Sequence, residues 1–297
     1  MQPKVTILIL NYNNWSDTYE CLKSLKGLAY DNYQILVVDN GSDQKPEQSL
    51  GVSVIYNQDN LGFSGGNNVG IKEALKKDSD YILLLNNDTT VEKDFLKKMI
   101  EVGENDFEAG ILGSKIYFYN QPNKIWFAGG VIAPFKIKGY HLGLNEKDKG
   151  QYEETDLVDY ITGCCMLIKR EVIDTIGYLD EDYFLYYEDS DYCWRARKAG
   201  FKCLMAPQAK IYHKCSVGLG EASPTYVYYH IRNAFLMVKK NGSTLAKFNL
   251  YLIQGPWLAF KQKVKWLLPF KRKWAKVALK GLKDFYLNRT GKYDYWN

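Results

Sequence analysis

The chain has 297 residues, 46% of them hydrophobic, enough apolar content for a large core and too much for disorder. The net charge of +5 is unevenly split: from Gly255 onward eleven Lys and Arg face only Asp284 and Asp294, so the tail carries 11 − 2 = +9 and the remainder 5 − 9 = −4. Basic charge concentrated at one end points to a local anionic partner and argues against a nucleic-acid surface spread over the whole protein. The N-terminal stretch runs into amides without a small-residue cleavage site, so no secretory leader is expected. The six cysteines (Cys21, Cys164, Cys165, Cys193, Cys203, Cys215) form no CxxC pair and read as reduced thiols of a cytosolic protein.

Up to about residue 120, short apolar runs ("KVTILIL", "YQILVVD", "VSVIYN", "DYILLLN", "AGILGSKIYFY") alternate with segments of helical periodicity ("WSDTYECLKSLKGL", "GGNNVGIKEALKK", "TVEKDFLKKMIEVGEN"). That order is βαβ and predicts an α/β fold with a mostly parallel sheet flanked by helices. Residues 121 to 157, polar and rich in Gly, Lys and Glu, read as a hairpin followed by a flexible loop. A strand and short helix follow in "DYITGCCMLIKREVIDTIG", then an aromatic loop feeding a helix in "LDEDYFLYYEDSDYCWRARKAGF". "CLMAPQAKIYH" reads as two short strands, and from about Pro224 the chain is helical. The domain expectation is 1–222 for a sheet-bearing unit and 223–297 for a basic helical extension. The apolar stretch "LYLIQGPWLAF" contains Pro256 and falls well short of the roughly 20 residues a membrane span needs.

Polar residues gather where the strands end: "NYNN" from Asn11, "DNGSD" from Asp39, "NQDN" after the third strand and "NNDTT" after the fourth. Singly these are ordinary turn and cap residues; together they aim donors and acceptors at one crevice beyond the carboxyl ends of a parallel sheet. "DNLGFSGGNNVGI" opens a helix, yet Asn67 stands where a dinucleotide fingerprint needs Gly, and Ile71 where a P-loop needs Lys. Asp88 is either the N-cap of a helix beginning near Val91, a task Thr89 or Thr90 could also fill, or a ligand for a hard cation, with His213 as a second donor. In "YYEDSDYCWRARK", Asp191 suits helix-dipole compensation. Of the adjacent acids Glu188 and Asp189, one is a candidate general base, since like charge and partial burial raise a carboxylate's pKa.

Taken together, "VTILILNYNN", "ILVVDNGSD", "NLGFSGGNNVGI", "YILLLNND", "DYITGCCMLIKREVIDTIGYLDEDYFLYYEDSDYCWRARKAG" and "IYH" resemble glycosyltransferase family 2 over roughly residues 4 to 215, and "NNDT" and "YEDSDYCWR" look most like its rhamnosyltransferase branch. The resemblance implies a GT-A fold and an inverting, metal-dependent transfer from a nucleotide-diphosphate sugar to a glycan acceptor in cell-surface polysaccharide synthesis. It puts Asn11, Tyr12, Asp39 and Asn40 on the nucleoside, with Asp39 on the base, and closes the Gly62–Asn67 turn, including Gly66, over it. Asn86, Asn87 and Asp88 stand at the family's DXD motif, with Asn86 at its first position. Asp88 and His213 would then hold Mn²⁺ or Mg²⁺, Asp189 would be the base, and Glu188 would orient or bind the acceptor. Asn86 departs from the pattern: an amide supplies no charge, so the metal would rely on the sugar nucleotide as well. A catalytically silent sugar-nucleotide-binding subunit is the alternative that Asn86 favours and that Asp88, Asp189 and His213 disfavour.

In the tail, Phe270, Trp274, Val277, Gly281 and Phe285 fall near one helical face with Lys and Arg on the others. Such a helix either packs on the domain or lies in an anionic membrane surface, where a lipid-linked acceptor would be met at the cytoplasmic leaflet. No other feature supports nucleic-acid binding, and oligomeric state is left open.

Overall fold

The structure, a computed structural model, describes residues 2–214 and 223–293. Cys215 and the expected boundary after residue 222 lie outside the described residues. The first half runs β1 (Val5–Asn11), α1 (Trp15–Ser24), β2 (Tyr33–Asp39), β3 (Ser53–Tyr56), α2 (Gly62–Lys76) and β4 (Tyr81–Asn86), as the alternating pattern predicts. It continues with β5 (Thr89–Val91), α3 (Phe95–Asn105), β6 (Ala109–Phe118), β7 (Gln121–Phe127), β8 (Gly130–Ala133), β9 (Lys138–His141), β10 (Cys165–Lys169), α4 (Arg170–Ile176), α5 (Glu188–Lys198) and β11 (Lys202–His213). The C-terminal helices are α6 (Pro224–Asn241), α7 (Thr244–Asn249), α8 (Gly255–Trp266) and α9 (Arg272–Tyr286).

The main sheet has the order β3-β2-β1-β4-β10-β6-β11-β5, with β7 also on β6. It is parallel from β3 through β4. Beyond β4 the expected parallel character gives way to a mixed sheet: β10 runs antiparallel to both β4 and β6, β11 is parallel to β6, and β5 closes the edge antiparallel to β11. Strands such as β4 and β6 are apolar almost throughout because helices cover both faces of the sheet.

Four local expectations are corrected. The third helix begins at Phe95, not near Val91, because the β-branched run Thr89–Val91 pairs with the open edge of β11. Neither Asp88 nor Thr89 or Thr90 caps a helix. "CLMAPQAKIYH" lies within one long strand, β11, whose register shifts between Ala206 and Lys210, around Pro207, which has no N–H to give the ladder. Residues 121–157 hold three strands, and the loop after β9 is pinned: fully buried Lys115 pairs with Glu153 at 2.6 Å and Asp148 at 3.4 Å. The turn expected over Gly62–Asn67 is the beginning of α2.

A second apolar cluster, built from α6, α7 and α9, includes Tyr183 and Ile137 of the sheet-bearing part, so the helices dock on the region around α5. In α2, Gly70 lies against β1, where a Cβ would stand 2.1 Å from the Leu8 side chain. Ala is the better helix former by about 1 kcal/mol, but forcing a methyl into a filled core costs about 1–3 kcal/mol. Gly70→Ala is therefore expected to lower the urea midpoint of unfolding; a raised midpoint would show that Leu8 yields freely.

Candidate active site

At the ends of β1 and β2 the polar residues form one network. The Asn11 amide donates to Asp39 Oδ1 at 3.0 Å and to Ser42 Oγ at 3.2 Å, while Asn11 Oδ1 accepts from Thr18 Oγ1 at 2.9 Å. Asn87 ties this network to β4, donating to Asn14 O at 3.1 Å and Thr18 Oγ1 at 3.0 Å. Asn40 is buried and serves the loop after β3: it donates to Asn60 and Gly62 and accepts from Asn57 and the Leu61 N–H. Tyr12 is 48% exposed beside these groups in sequence.

The glycines of α2 serve packing. Gly62 has φ +74°, and a Cβ there would meet Phe184 O at 2.3 Å; at Gly66 it would meet Leu10 at 2.5 Å. Asn67 is buried and donates to Phe63 O of its own helix. These residues set how closely α2 approaches the strand ends and the aromatic loop. They do not form a turn over the crevice.

At the other end, Asp88 and His213 meet. The carboxylate oxygens lie 3.1 and 3.2 Å from His213 Nε2, and Trp126 stands edge-on to the imidazole with ring centroids 4.6 Å apart. Asp88 Oδ1 is buried without an aligned hydrogen bond. A buried carboxylate oxygen left without one, next to an imidazole, fits a cation ligand whose remaining positions come from elsewhere. Among the described residues no cluster of three His, Cys, Asp or Glu could hold a metal alone. Asp88 and His213 thus offer two donors to a cation, with Asn86 close by in the chain as a neutral oxygen donor.

Asn86 and His213 line a cavity of about 630 Å³ that also receives Glu188 and Asp189. Asp189 is fixed at the start of α5, accepting from the Gly163 N–H at 3.0 Å through Oδ2 and from the Ser190 N–H at 2.6 Å through Oδ1. Glu188 is the more deeply buried of the two, and its Oε2 has no partner among the described residues. Burial first, then the Asp189 charge, pushes its carboxyl well above the usual range. The raised pKa expected of one member of this pair therefore falls on Glu188. Asp191 is structural, held by Tyr183, Asn241 and Arg195.

Sequence reasoning singled out one histidine, yet all three in the chain, His141, His213 and His230, line this cavity, together with Trp126, Tyr160 and Tyr187. It also missed Asn233. The loop before Glu188 carries three non-glycine residues in the left-handed region, Phe184, Tyr186 and Tyr187 (φ +62°, +68° and +74°), each costing on the order of 1–2 kcal/mol. The Asn233 amide donates to the carbonyls of Tyr183, Leu185 and Tyr186 at 2.8–2.9 Å, and buried Arg232 donates to Tyr183 O at 2.9 Å. The available signal was "IRNAF", an Arg–Asn pair inside an apolar helix.

The main sheet is mixed, and His213, paired with Asp88, shares one cavity with Glu188 and Asp189. The model of glycosyl transferase family 2 matches residues 6–177, more than half of the chain, and the chain belongs to that family. A hexosyltransferase of low-salt glycan biosynthesis from Haloferax volcanii is 26% identical over 98% of this chain and 94% of its own. A dTDP-rhamnosyl transferase from Shigella flexneri is 25% identical over 81% and 82%. An N-acetylglucosaminyl-diphospho-decaprenol L-rhamnosyltransferase from Mycobacterium tuberculosis is 22% identical over 80% and 85%. In structure, GalNAc-T7, solved with UDP, GalNAc and Mn²⁺, superposes with a TM-score of 0.68 at 15% identity, over 98% of this chain and 56% of that one, and establishes the GT-A fold.

Burial, then the neighbouring His141, lowers the His230 pKa to about 4 from an ordinary 6.5. The unfolded chain therefore takes up this proton first as pH falls, and stability present above pH 6.5 is lost between 6.5 and 4 at about 1.4 kcal/mol per pH unit. Urea unfolding at pH 6.5 and pH 5 should show His230→Gln losing about 2 kcal/mol less than the parent over that interval. Equal losses would mean that His230 is charged in the fold.

Proposed function

We propose that this family 2 glycosyltransferase is inverting and metal-assisted. It moves a sugar, rhamnose being the one the relatives' names favour, from a nucleotide-diphosphate donor to a hydroxyl of a lipid-linked glycan acceptor in cell-surface polysaccharide synthesis, at the inner face of the cell membrane. The observation that carries this reading is the common opening of Asn86, His213 and Asp189 into one cavity, with Asp88 against His213.

Asn11 and Asp39, locked together at the ends of β1 and β2, receive the nucleoside, with Tyr12 beside them. Asp88 and His213 would hold Mn²⁺ or Mg²⁺, which supplies positive charge to the departing diphosphate. Asp189 takes the proton of the acceptor hydroxyl as the new oxygen–carbon bond forms at the anomeric centre. The bond to the diphosphate breaks with its electron pair leaving on phosphate oxygen. Attack from the face opposite the leaving group inverts the configuration. The two N–H donors on Asp189 hold its carboxylate in place, and neutral Glu188 offers a hydrogen bond to an acceptor oxygen without competing for the proton.

Among the described residues no helix is long and apolar enough to cross a membrane, so membrane contact would be peripheral. The domain division expected near residue 222 is retained as a functional one, with catalysis on the sheet-bearing part and docking on the helices.

Two measurements test the reading. Asp189→Asn is expected to lower the rate of nucleotide diphosphate release in the presence of acceptor by about 10²–10⁴-fold, the usual worth of a general base, with the donor KM little changed; undiminished turnover would remove Asp189 from the mechanism. EDTA should abolish transfer and Mn²⁺ restore it, with Asp88→Asn requiring a higher Mn²⁺ concentration for half-recovery. Full activity in EDTA would contradict the role given to Asp88 and His213.

A further inference from the structure

The pair α7–α8 carries its apolar stripe on the outside. Phe248, Leu252, Trp257, Phe260, Val264 and Leu267 are each 48–74% exposed, whereas the covered positions are Ala246, Leu250, Gly255 and Gln262. The steps are three and four residues except across Leu250–Gln254, where the helix widens into a π-turn. The extra residue there leaves both Leu252 and Ile253 outward and keeps Trp257 in line with the stripe. A helix that rests on a protein core turns such a stripe inward. This one presents it to solvent over its whole length.

The last helix, α9, behaves in the opposite way, though on a face different from the one expected: Gly281 and Phe285 are buried, but Trp274 and Val277 are half-buried and Phe270 is exposed ahead of the helix. The buried side is Ala275, Ala278, Gly281, Leu282 and Phe285, and a Cβ at Gly281 would stand 2.9 Å from Tyr228 O of α6. The packing alternative therefore holds for α9, and the surface-seeking element is α7–α8.

Two features identify what the stripe meets. The sequence has no Asp or Glu between Glu221 and Asp284, while Lys261, Lys263, Lys265, Lys271, Arg272 and Lys273 sit on or just beyond α8. Trp and Phe ringed by uncompensated Lys and Arg complement an anionic lipid surface, with the rings at headgroup depth and the ammonium groups among phosphates. A second protein surface would have to bring its own carboxylates.

The stripe also continues to the cavity. Asn249 at the end of α7 donates to Phe135 O at 2.9 Å, joining the helix to the turn before β9. There Phe135, Tyr140 and Leu144 are 49%, 37% and 45% exposed, and Tyr140 and Leu144 line the cavity that holds Asp189.

We propose that the outer face of α7–α8 lies in the headgroup layer of an anionic bilayer and that the cavity opens along the same surface, so that a lipid-borne acceptor presents its sugar to Asp189 without leaving the membrane. The first half stands on the surface alone; the second rests on the transferase reading above.

The test is co-sedimentation of the full chain with vesicles of phosphatidylcholine containing 30% phosphatidylglycerol, and with phosphatidylcholine alone. The expected result is binding to the anionic vesicles, reduced at least tenfold without them. Trp257→Ser with Phe260→Ser, and separately Lys261→Gln with Lys263→Gln and Lys265→Gln, should each weaken binding tenfold or more. All five residues except half-buried Lys265 are exposed, and a thermal melt checks that both variants fold. Retained binding in both variants, or none by the parent, overturns the proposal. So does a dimer in analytical ultracentrifugation that the Trp257/Phe260 variant dissolves, since a second copy would then cover the stripe. Release of nucleotide diphosphate from a sugar nucleotide in the presence of a detergent-dispersed lipid-linked glycan acceptor, followed without vesicles, keeps the two readings apart. A parent that adsorbs but never turns over donor keeps the surface and loses the transferase. One that turns over donor but does not adsorb does the reverse.

Discussion

Only Asn87 and Asp88 separate β4 from β5, yet the two strands stand fourth and eighth in the order of the main sheet. Three Cα steps reach at most about 11 Å, and four inter-strand spacings in a flat sheet amount to about 19 Å. The sheet has to curl until its far edge comes back towards β4. That closure brings the end of β11, where His213 pairs with Thr89, against Asp88. The carboxylate–imidazole contact is thus a consequence of chain length, and it sets His213 at the wall of the cavity.

The second arm of the site depends on stored strain. Three left-handed residues in the loop before α5 set the direction from which Glu188 and Asp189 enter the cavity, and the carbonyls this leaves are satisfied from α6 by Arg232 and Asn233. Of the C-terminal helices, α6 therefore braces the loop that carries Glu188 and Asp189. The same α6 that braces the loop contributes Tyr226 and His230 to the cavity wall, and α7 and α8 follow it in the chain. Burial then divides the adjacent acids: it pushes the Glu188 carboxyl up, while Asp189, less buried, is anchored by two N–H donors.

Much of this was legible in the sequence because it is local. Apolar runs of fixed length, turn residues at their ends and helical spacing between them gave the strand and helix order, and the motifs singled out Asp88 and His213, which the fold brings together, and Asp189, which shares a cavity with His213. What was not legible is non-local. Thr89–Val91 has the propensity of a strand but sits before a helical pattern, and only the open edge of β11 decides the matter. The three histidines are widely separated in sequence, and nothing local says that they share one cavity. In the tail, periodicity found an apolar face on α9 but could not tell which helix would spend its stripe on packing. The groove offered by α6 took α9 and left α7–α8 outward.

The central claim is a single displacement driven by Asp189 across the cavity. It is tested most directly by the anomeric configuration of the newly formed glycoside, read from the coupling constants of its anomeric carbon and proton by NMR. The account predicts a configuration opposite to that of the donor. A product with the donor's own configuration would contradict it, since that outcome requires either a second nucleophile or departure and attack on one face.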